Sequence, residues 1–193
     1  MLTKEHKEIF KRDGFVVLRQ GFSAAEMAIL QHQKTASERL ENANDFLDGE
    51  GRTSKISLVQ DFPADIWGYI SRMPRIVWGV EALLGEEVYH WHSKVMVKEA
   101  REGGSWEWHQ DYGYWYYNDP PFPRMLSAML AVSDATRNNG CLRVLKGSHQ
   151  CGRLDHQRIG QQRGAEPDRV EALKTRFEEV YCELQSGDVL FFH

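Results

Sequence analysis

Near Val88 the apolar pattern of the chain changes period, and this change limits the architecture more than any other feature. Before it, apolar residues recur at helical spacing between local start and stop signals. Thr3 can cap a short helix whose apolar side includes Ile9 and Phe10, and Gly14 stops it. Ser23 followed by Glu26 makes a capping box and predicts a helix over residues 24 to about 40. Residues 66–70 and 76–84 read as two further helical pieces, interrupted near Pro74 and closed by Gly85. Residues 15–18 are a short strand candidate, and residues 42–53, polar and glycine-bearing, read as a mobile surface loop. Past Val88, residues 88–98, 126–132, 141–145 and 188–192 are strand-like, separated by glycine, proline and asparagine turns. A helix over residues 168–173 interrupts them. Helices first and short strands later predict a mainly β domain, an antiparallel barrel or jelly roll buttressed by amino-terminal helices. The 193 residues fit one domain, with 1–85 as mostly helical support and 88–193 as the jelly-roll core.

Charge narrows the partners. A net charge of −4, without any run of Lys and Arg, argues against a nucleic-acid surface and mildly against a pocket for a polyphosphate carrier such as coenzyme A. The opening MLTKEHKEIFKRDG carries charges where a signal peptide needs an apolar core, and no stretch approaches membrane-spanning length. Cys141, Cys151 and Cys182 include no Cys-x-x-Cys pair and read as thiols in a reducing compartment. These features predict a soluble, cytoplasmic monomer or homodimer that acts on a small molecule, with no membrane or nucleic-acid partner.

The chemistry centres on His109-Gln110-Asp111. In an extended segment His109 and Asp111 project to one side while Gln110 points away. One imidazole and one carboxylate, joined by a distant histidine, make the facial triad of a non-haem iron site and leave coordination positions open. Aromatic residues crowd this segment. Trp106 and Trp108 read equally well as core, whereas Tyr112, Tyr114, Trp115, Tyr116 and Tyr117 suit a pocket rim, because each phenol needs a partner. Upstream, His92, Lys94, Met96 and Lys98 alternate and so share one face of a strand, either solvated or turned to a site.

Several ordered motifs extend this pattern: Trp108-His109-Gln110-Asp111, Asn139-Gly140, Lys146-Gly147-Ser148-His149 and Gly187-Asp188-Val189-Leu190-Phe191. With the opening Asp13-Gly14-Phe15-Val16-Val17, they resemble the phytanoyl-CoA dioxygenase-like family of 2-oxoglutarate-dependent oxygenases. Lys146 stands where that family usually has proline. The stretch Asp119-Pro-Pro-Phe-Pro-Arg-Met125 looks like the ectoine hydroxylase branch, whose substrate is a small zwitterion.

The resemblance implies a double-stranded β-helix (a cupin-like jelly roll) with amino-terminal helices. It also implies a dioxygenase using Fe(II), 2-oxoglutarate and O2 to hydroxylate a small or medium-sized metabolite, with 2-oxoglutarate decarboxylated to succinate and CO2. His109 and Asp111 would be its catalytic metal ligands. Related halogenases have glycine or alanine at the acidic position, so Asp111 favours hydroxylation. The family's second histidine ligand is expected beyond residue 193, followed by an arginine for 2-oxoglutarate, so the domain is expected to lack its last strands. Bare His-x-Asp…His logic leaves His193 as a candidate within the chain.

His92 and Lys94 would contact 2-oxoglutarate, with Met129 in the pocket wall. Tyr112, Tyr114, Trp115 and Arg153 are candidates for substrate binding. Ser148 and His149 read as turn capping or as substrate contacts, and Arg153, Asp155 and His156 as a pocket mouth or a surface ion-pair group. Asp134 and Arg137 read as structural. The alternatives are a non-catalytic jelly-roll binding protein that has lost iron chemistry and, with less support, a zinc hydrolase using the same ligands.

Overall fold

A computed structural model describes residues 1–36, 43–48, 50–59, 64–98, 103–118 and 121–193. The helix signals act where they stand in the chain. Helix α1 spans Lys4–Asp13: the Thr3 hydroxyl accepts the His6 N–H, and Gly14 ends the helix in the left-handed region with its N–H on the Phe10 carbonyl. Helix α2, Ala24–Ala36, opens on the reciprocal Ser23–Glu26 bonds. Its expected continuation toward Leu40 lies outside the described residues. Helix α3, Ile66–Ser71, is capped by Asp65, and α4, Pro74–Leu84, starts with proline at its first turn and stops at Gly85. Cys141 and Cys182 are buried free thiols, and Cys151 is half-buried.

Strand β1, Phe15–Leu18, joins a sheet completed by two distant segments. Strand β2 is Asn44–Leu47, β3 Thr53–Val59, β4 Ser93–Val97, β5 Ser127–Leu130 and β6 Leu142–Leu145. Strand β7 is His156–Ile159, β8 Gln162–Ala165, β9 Glu179–Cys182 and β10 Val189–Phe192, with helices α5, Asp111–Trp115, and α6, Pro167–Lys174, between them. The strands pair antiparallel in the orders β1-β10-β5, β2-β3-β4, β6-β9 and β7-β8. Strands β1, β2 and β3 all fall within residues 1–85, so this region adds strands as well as helices.

The uninterrupted Val-Leu-Phe run of β10 has a physical cause: both faces of the strand are covered. Val189 and Phe191 pack with Phe10, Phe22, Met27, Leu30 and Trp67 beneath the helices. Leu190 faces the other way, onto Ala131, Cys182 and Leu184, with Met129, Leu142, Val144 and Phe192 alongside. A strand buried on both sides reads as a continuous apolar run rather than an alternation.

Two expectations change. Residues 42–53 read as a mobile loop, but Asn44–Leu47 pairs with β3, and the buried Asp48 organises the turn between them. (Asn42 and Gly49 lie outside the described residues.) The Asp48 carboxylate accepts the N–H groups of Glu50, Arg52 and Ser105 and the Arg52 guanidinium, bonds that local polarity does not reveal. The strand expected over 88–98 is regular only over Ser93–Val97. The β7–β8 hairpin lacks an apolar signal, since Gln157, Arg158 and Arg163 face solvent.

Helix α4 sits close on β10. A Cβ at Gly79 would stand 2.8 Å from Phe191 Cζ and 3.0 Å from its Cε1, and that ring is fully buried. Overpacking of this kind costs about 1–3 kcal/mol, against about 1 kcal/mol of helix propensity gained by alanine. Gly79→Ala is therefore expected to destabilise the protein by about 1 kcal/mol in urea unfolding. A midpoint at or above the parent's would mean that the Phe191 ring yields.

Candidate metal centre

The strand-like segment leading to His109 is held by β8. Gln162, itself buried, accepts the Glu107 N–H at 2.9 Å and donates to the Ser105 carbonyl at 3.0 Å. The Ala165 N–H donates to the Trp108 carbonyl at 2.7 Å. On this fixed backbone His109 Nδ1 lies 2.7 Å from the Glu107 carbonyl, an acceptor only, so Nδ1 carries the proton and Nε2 is the outward nitrogen.

His109 Nε2 stands 3.3 Å from Asp111 Oδ1. The two side chains meet for a different reason from the expected one. The extended geometry ends at Gln110 (φ −107°, ψ 134°), and Asp111 is the first residue of α5. A turn from strand into helix, rather than strand alternation, brings the carboxylate beside the imidazole. Asp111 Oδ2 accepts the Ser127 hydroxyl from β5 at 2.5 Å. Burial would raise the Asp111 pKa, but the adjoining His109 ring, the Ser127 hydroxyl and the Lys94 charge outweigh it and hold the carboxyl below the usual range.

This pair fits a divalent cation. Two ligand atoms each about 2.1 Å from one ion and at right angles stand about 3 Å apart, and the remaining polar atoms, Nδ1 and Oδ2, are engaged by Glu107 and Ser127. Among the described residues no third His, Cys, Asp or Glu joins the pair. His193, the candidate within the chain, does not stand with the pair. Its ring feels the Asp111 charge but bonds to the Pro123 carbonyl and tilts against His149 at 5.7 Å. It lines a separate cavity of about 420 Å³ with Phe10, Leu83, Arg124 and His149.

The other candidates lie on or beside β4, β5, α5 and the segment before β7. His92, just before β4, packs on Trp115 at 4.9 Å, and its buried Nδ1 has no hydrogen-bond partner among the described residues. Lys94 on β4 is exposed and places Nζ 5.7 Å from the centre of the Trp106 ring. Met129 on β5 shares a face with Ser127, two residues away, and packs on the inner core cluster. Tyr112 donates to the Pro121 carbonyl and meets Tyr116 edge-on. Trp115 lies between Trp91 and His92. The Arg153 guanidinium lies 4.7 Å above Tyr116 and 5.6 Å from Tyr117, and Asp155 holds it at 2.8 Å. Tyr114 is placed differently from a rim residue: its ring sits between His109 and His156, its hydroxyl donates to the Arg163 carbonyl, and burial pushes the phenol up to about 12.

Sequence reading missed Ser127, Gln162 and the bonds of Gln110. Each acts across a long sequence separation, so no local signal marks it.

The family model described as Phytanoyl-CoA dioxygenase (PhyH) matches residues 10–193. The chain belongs to this family. Among its curated relatives within these oxygenases is the L-proline trans-4-hydroxylase of Streptomyces griseoviridis, 30% identical over 80% of this chain and 58% of the relative. Another is the ectoine dioxygenase of Sphingopyxis alaskensis, 32% identical over 73% of this chain and 48% of that protein. The chain spans about half the length of these curated relatives. The resemblance to ectoine hydroxylases is thus borne out.

Solved structures agree on the fold. EctD from S. alaskensis with bound Fe superposes with a TM-score of 0.78 at 23% identity, covering 99% of this chain and 68% of that one. The non-heme alpha ketoglutarate dependent carbocyclase SnoK superposes at 0.79 and 20% identity, covering 100% and 74%. The domain is a double-stranded β-helix with amino-terminal helices, as expected. No helix among the described residues is long and apolar enough to cross a membrane.

Proposed function

We propose that this chain belongs to an iron(II)- and 2-oxoglutarate-dependent oxygenase that hydroxylates a small zwitterionic metabolite. One observation carries the reading: His109 Nε2 and Asp111 Oδ1 converge 3.3 Å apart, with their other polar atoms tied back to the protein. Bound iron(II) would supply oxygen activation coupled to decarboxylation of 2-oxoglutarate to succinate and CO2.

The chain's own residues would do the rest. His109 offers a neutral imidazole with its tautomer fixed by Glu107, and Asp111 a carboxylate oriented by Ser127. Lys94 supplies a flexible positive charge for one end of the dicarboxylate, and the unpartnered His92 Nδ1 a polar contact beside it. Met129 walls this side. Tyr112 and Trp115 would form the walls of the substrate space, and Tyr114 would hold the His109 ring behind it. Arg153, stacked on Tyr116 and Tyr117, would face a substrate carboxylate.

The named substrates of two relatives, L-proline and ectoine, are both small rings bearing an amine-type nitrogen and a carboxylate. Aromatic faces suit the cationic part of such a ring. Three free thiols fit a cytoplasmic setting.

The test is oxygen-dependent release of succinate from 2-oxoglutarate by the full-length protein with iron(II) and ascorbate. We expect basal release that rises on adding L-proline, ectoine or a related cyclic amino acid. Absence of release with every one of them would remove the oxygenase reading.

A further inference from the structure

Three hydrogen bonds run from Gln110, the residue between the two ligands, to one short segment of chain. Its side-chain oxygen accepts the Leu154 N–H at 2.7 Å, and its side-chain nitrogen donates to the Gly152 carbonyl at 3.2 Å. Its backbone N–H donates to His156 Nε2 at 3.1 Å. His156 is prepared for that role. Its Nδ1 lies 3.0 Å from the Leu154 carbonyl and carries the proton, so Nε2 is left as an acceptor.

The imidazole of His156 is itself confined. Gly113 of α5 lies so close that a Cβ there would overlap the ring. Tyr114 covers it at 5.1 Å between ring centres, and the same tyrosine ring touches His109 at 4.9 Å. Gln110 is where the chain turns from extended backbone into α5. The acceptor of its N–H fixes the peptide plane between His109 and Gln110, and with it the direction in which Asp111 leaves.

We propose that His156 and Gln110 are positioning residues: together they latch the His109–Asp111 turn and set the separation of the two ligand atoms. The inference rests on the metal reading given above. Among the described residues the His156 ring nitrogens bond to Gln110 and Leu154 and to neither ligand atom, so the effect passes through the Gln110 backbone. A partner of this outer kind typically changes metal affinity by about 10- to 100-fold.

Manganese(II) calorimetry on the full-length protein tests the latch, at a temperature where circular dichroism shows every variant folded. His156→Leu removes the acceptor, whereas His156→Gln keeps an oxygen within reach of the same N–H. We expect His156→Leu to weaken manganese(II) binding by about 10- to 100-fold and His156→Gln to restore most of it. A folded His156→Leu protein that binds as tightly as the parent overturns the proposal, as does a His156→Gln variant no better than His156→Leu. Should His156→Leu fail to fold, Gln110→Ala serves instead, because it removes two latch bonds and leaves His156 in place. Its affinity is expected to fall, and parental affinity overturns the latch. His109→Ala and Asp111→Ala separate the two failures. If these abolish binding while His156→Leu and Gln110→Ala bind like the parent, only the latch is wrong. If they leave binding unchanged, the metal reading falls with it.

Discussion

Full-length protein carrying Asp111→Ala is expected to lose manganese(II) binding and 2-oxoglutarate turnover by more than the about 10- to 100-fold typical of an outer partner. The reason is geometric. The Asp111 carboxylate is the only acidic side chain that meets His109 among the described residues, and it would supply the negative charge facing a bound cation. Alanine also frees His109 Nε2 and leaves the Ser127 hydroxyl without its acceptor. Ser127→Ala keeps the carboxylate and removes only its orienting bond, so its loss is expected to fall within the 10- to 100-fold range, roughly. Calorimetry with manganese(II), followed by succinate assays, ranks the two variants. If Asp111→Ala binds the ion as well as Ser127→Ala does, Asp111 is not a ligand.

The largest effect on stability is expected from Asp188→Ala. Asp188 is fully buried and accepts the Gln20 N–H at 2.7 Å, the Gln185 N–H at 2.9 Å and the Arg19 guanidinium at 2.7 Å. These bonds tie the end of β1 to the turn before β10. Arg19 is mostly exposed and returns to water at little cost, but two backbone donors lose their acceptor. At about 1–3 kcal/mol for each unsatisfied group, the expected loss is about 3 kcal/mol in urea unfolding.

The effect also has a pH signature. Burial would raise the Asp188 pKa, but the Gln20, Gln185 and Arg19 bonds prevail and hold it below the ordinary value. A carboxylate depressed in the folded state stabilises the protein above its unfolded pKa, about 3.9, and loses that contribution as pH falls through the folded value. The gap between parent and Asp188→Ala should therefore be full from neutral pH to about pH 4 and narrow below it. An equal gap at neutral pH and at about pH 3 would contradict a charged Asp188 in the native state.

Much of this architecture is decided by local chemistry and is legible without coordinates. Thr3 and Ser23 cap helices, Pro74 opens one, and Gly14 and Gly85 end two, because each acts on backbone groups within a few residues of itself. The change of period near Val88 announces strands, and the Val-Leu-Phe run of β10 announces burial on both faces. His109 and Asp111 stand out because few residue types can hold a metal at that spacing.

Tertiary structure decided the rest. The hairpin of β2 and β3 depends on Asp48 gathering N–H groups from as far as Ser105, so its polar sequence reads as a loop. Register among β1, β10 and β5 is set by segments far apart in the chain, as in the pairing of Phe15 with Phe192 and of Val189 with Leu130. Gln110 reads as a spacer pointing away from the site, and only the folded chain shows that it points at Gly152, Leu154 and His156. Residue type and spacing can nominate ligands, because coordination chemistry is local. The shells that orient them are built from contacts between distant segments, and those exist only once the core has brought the strands together.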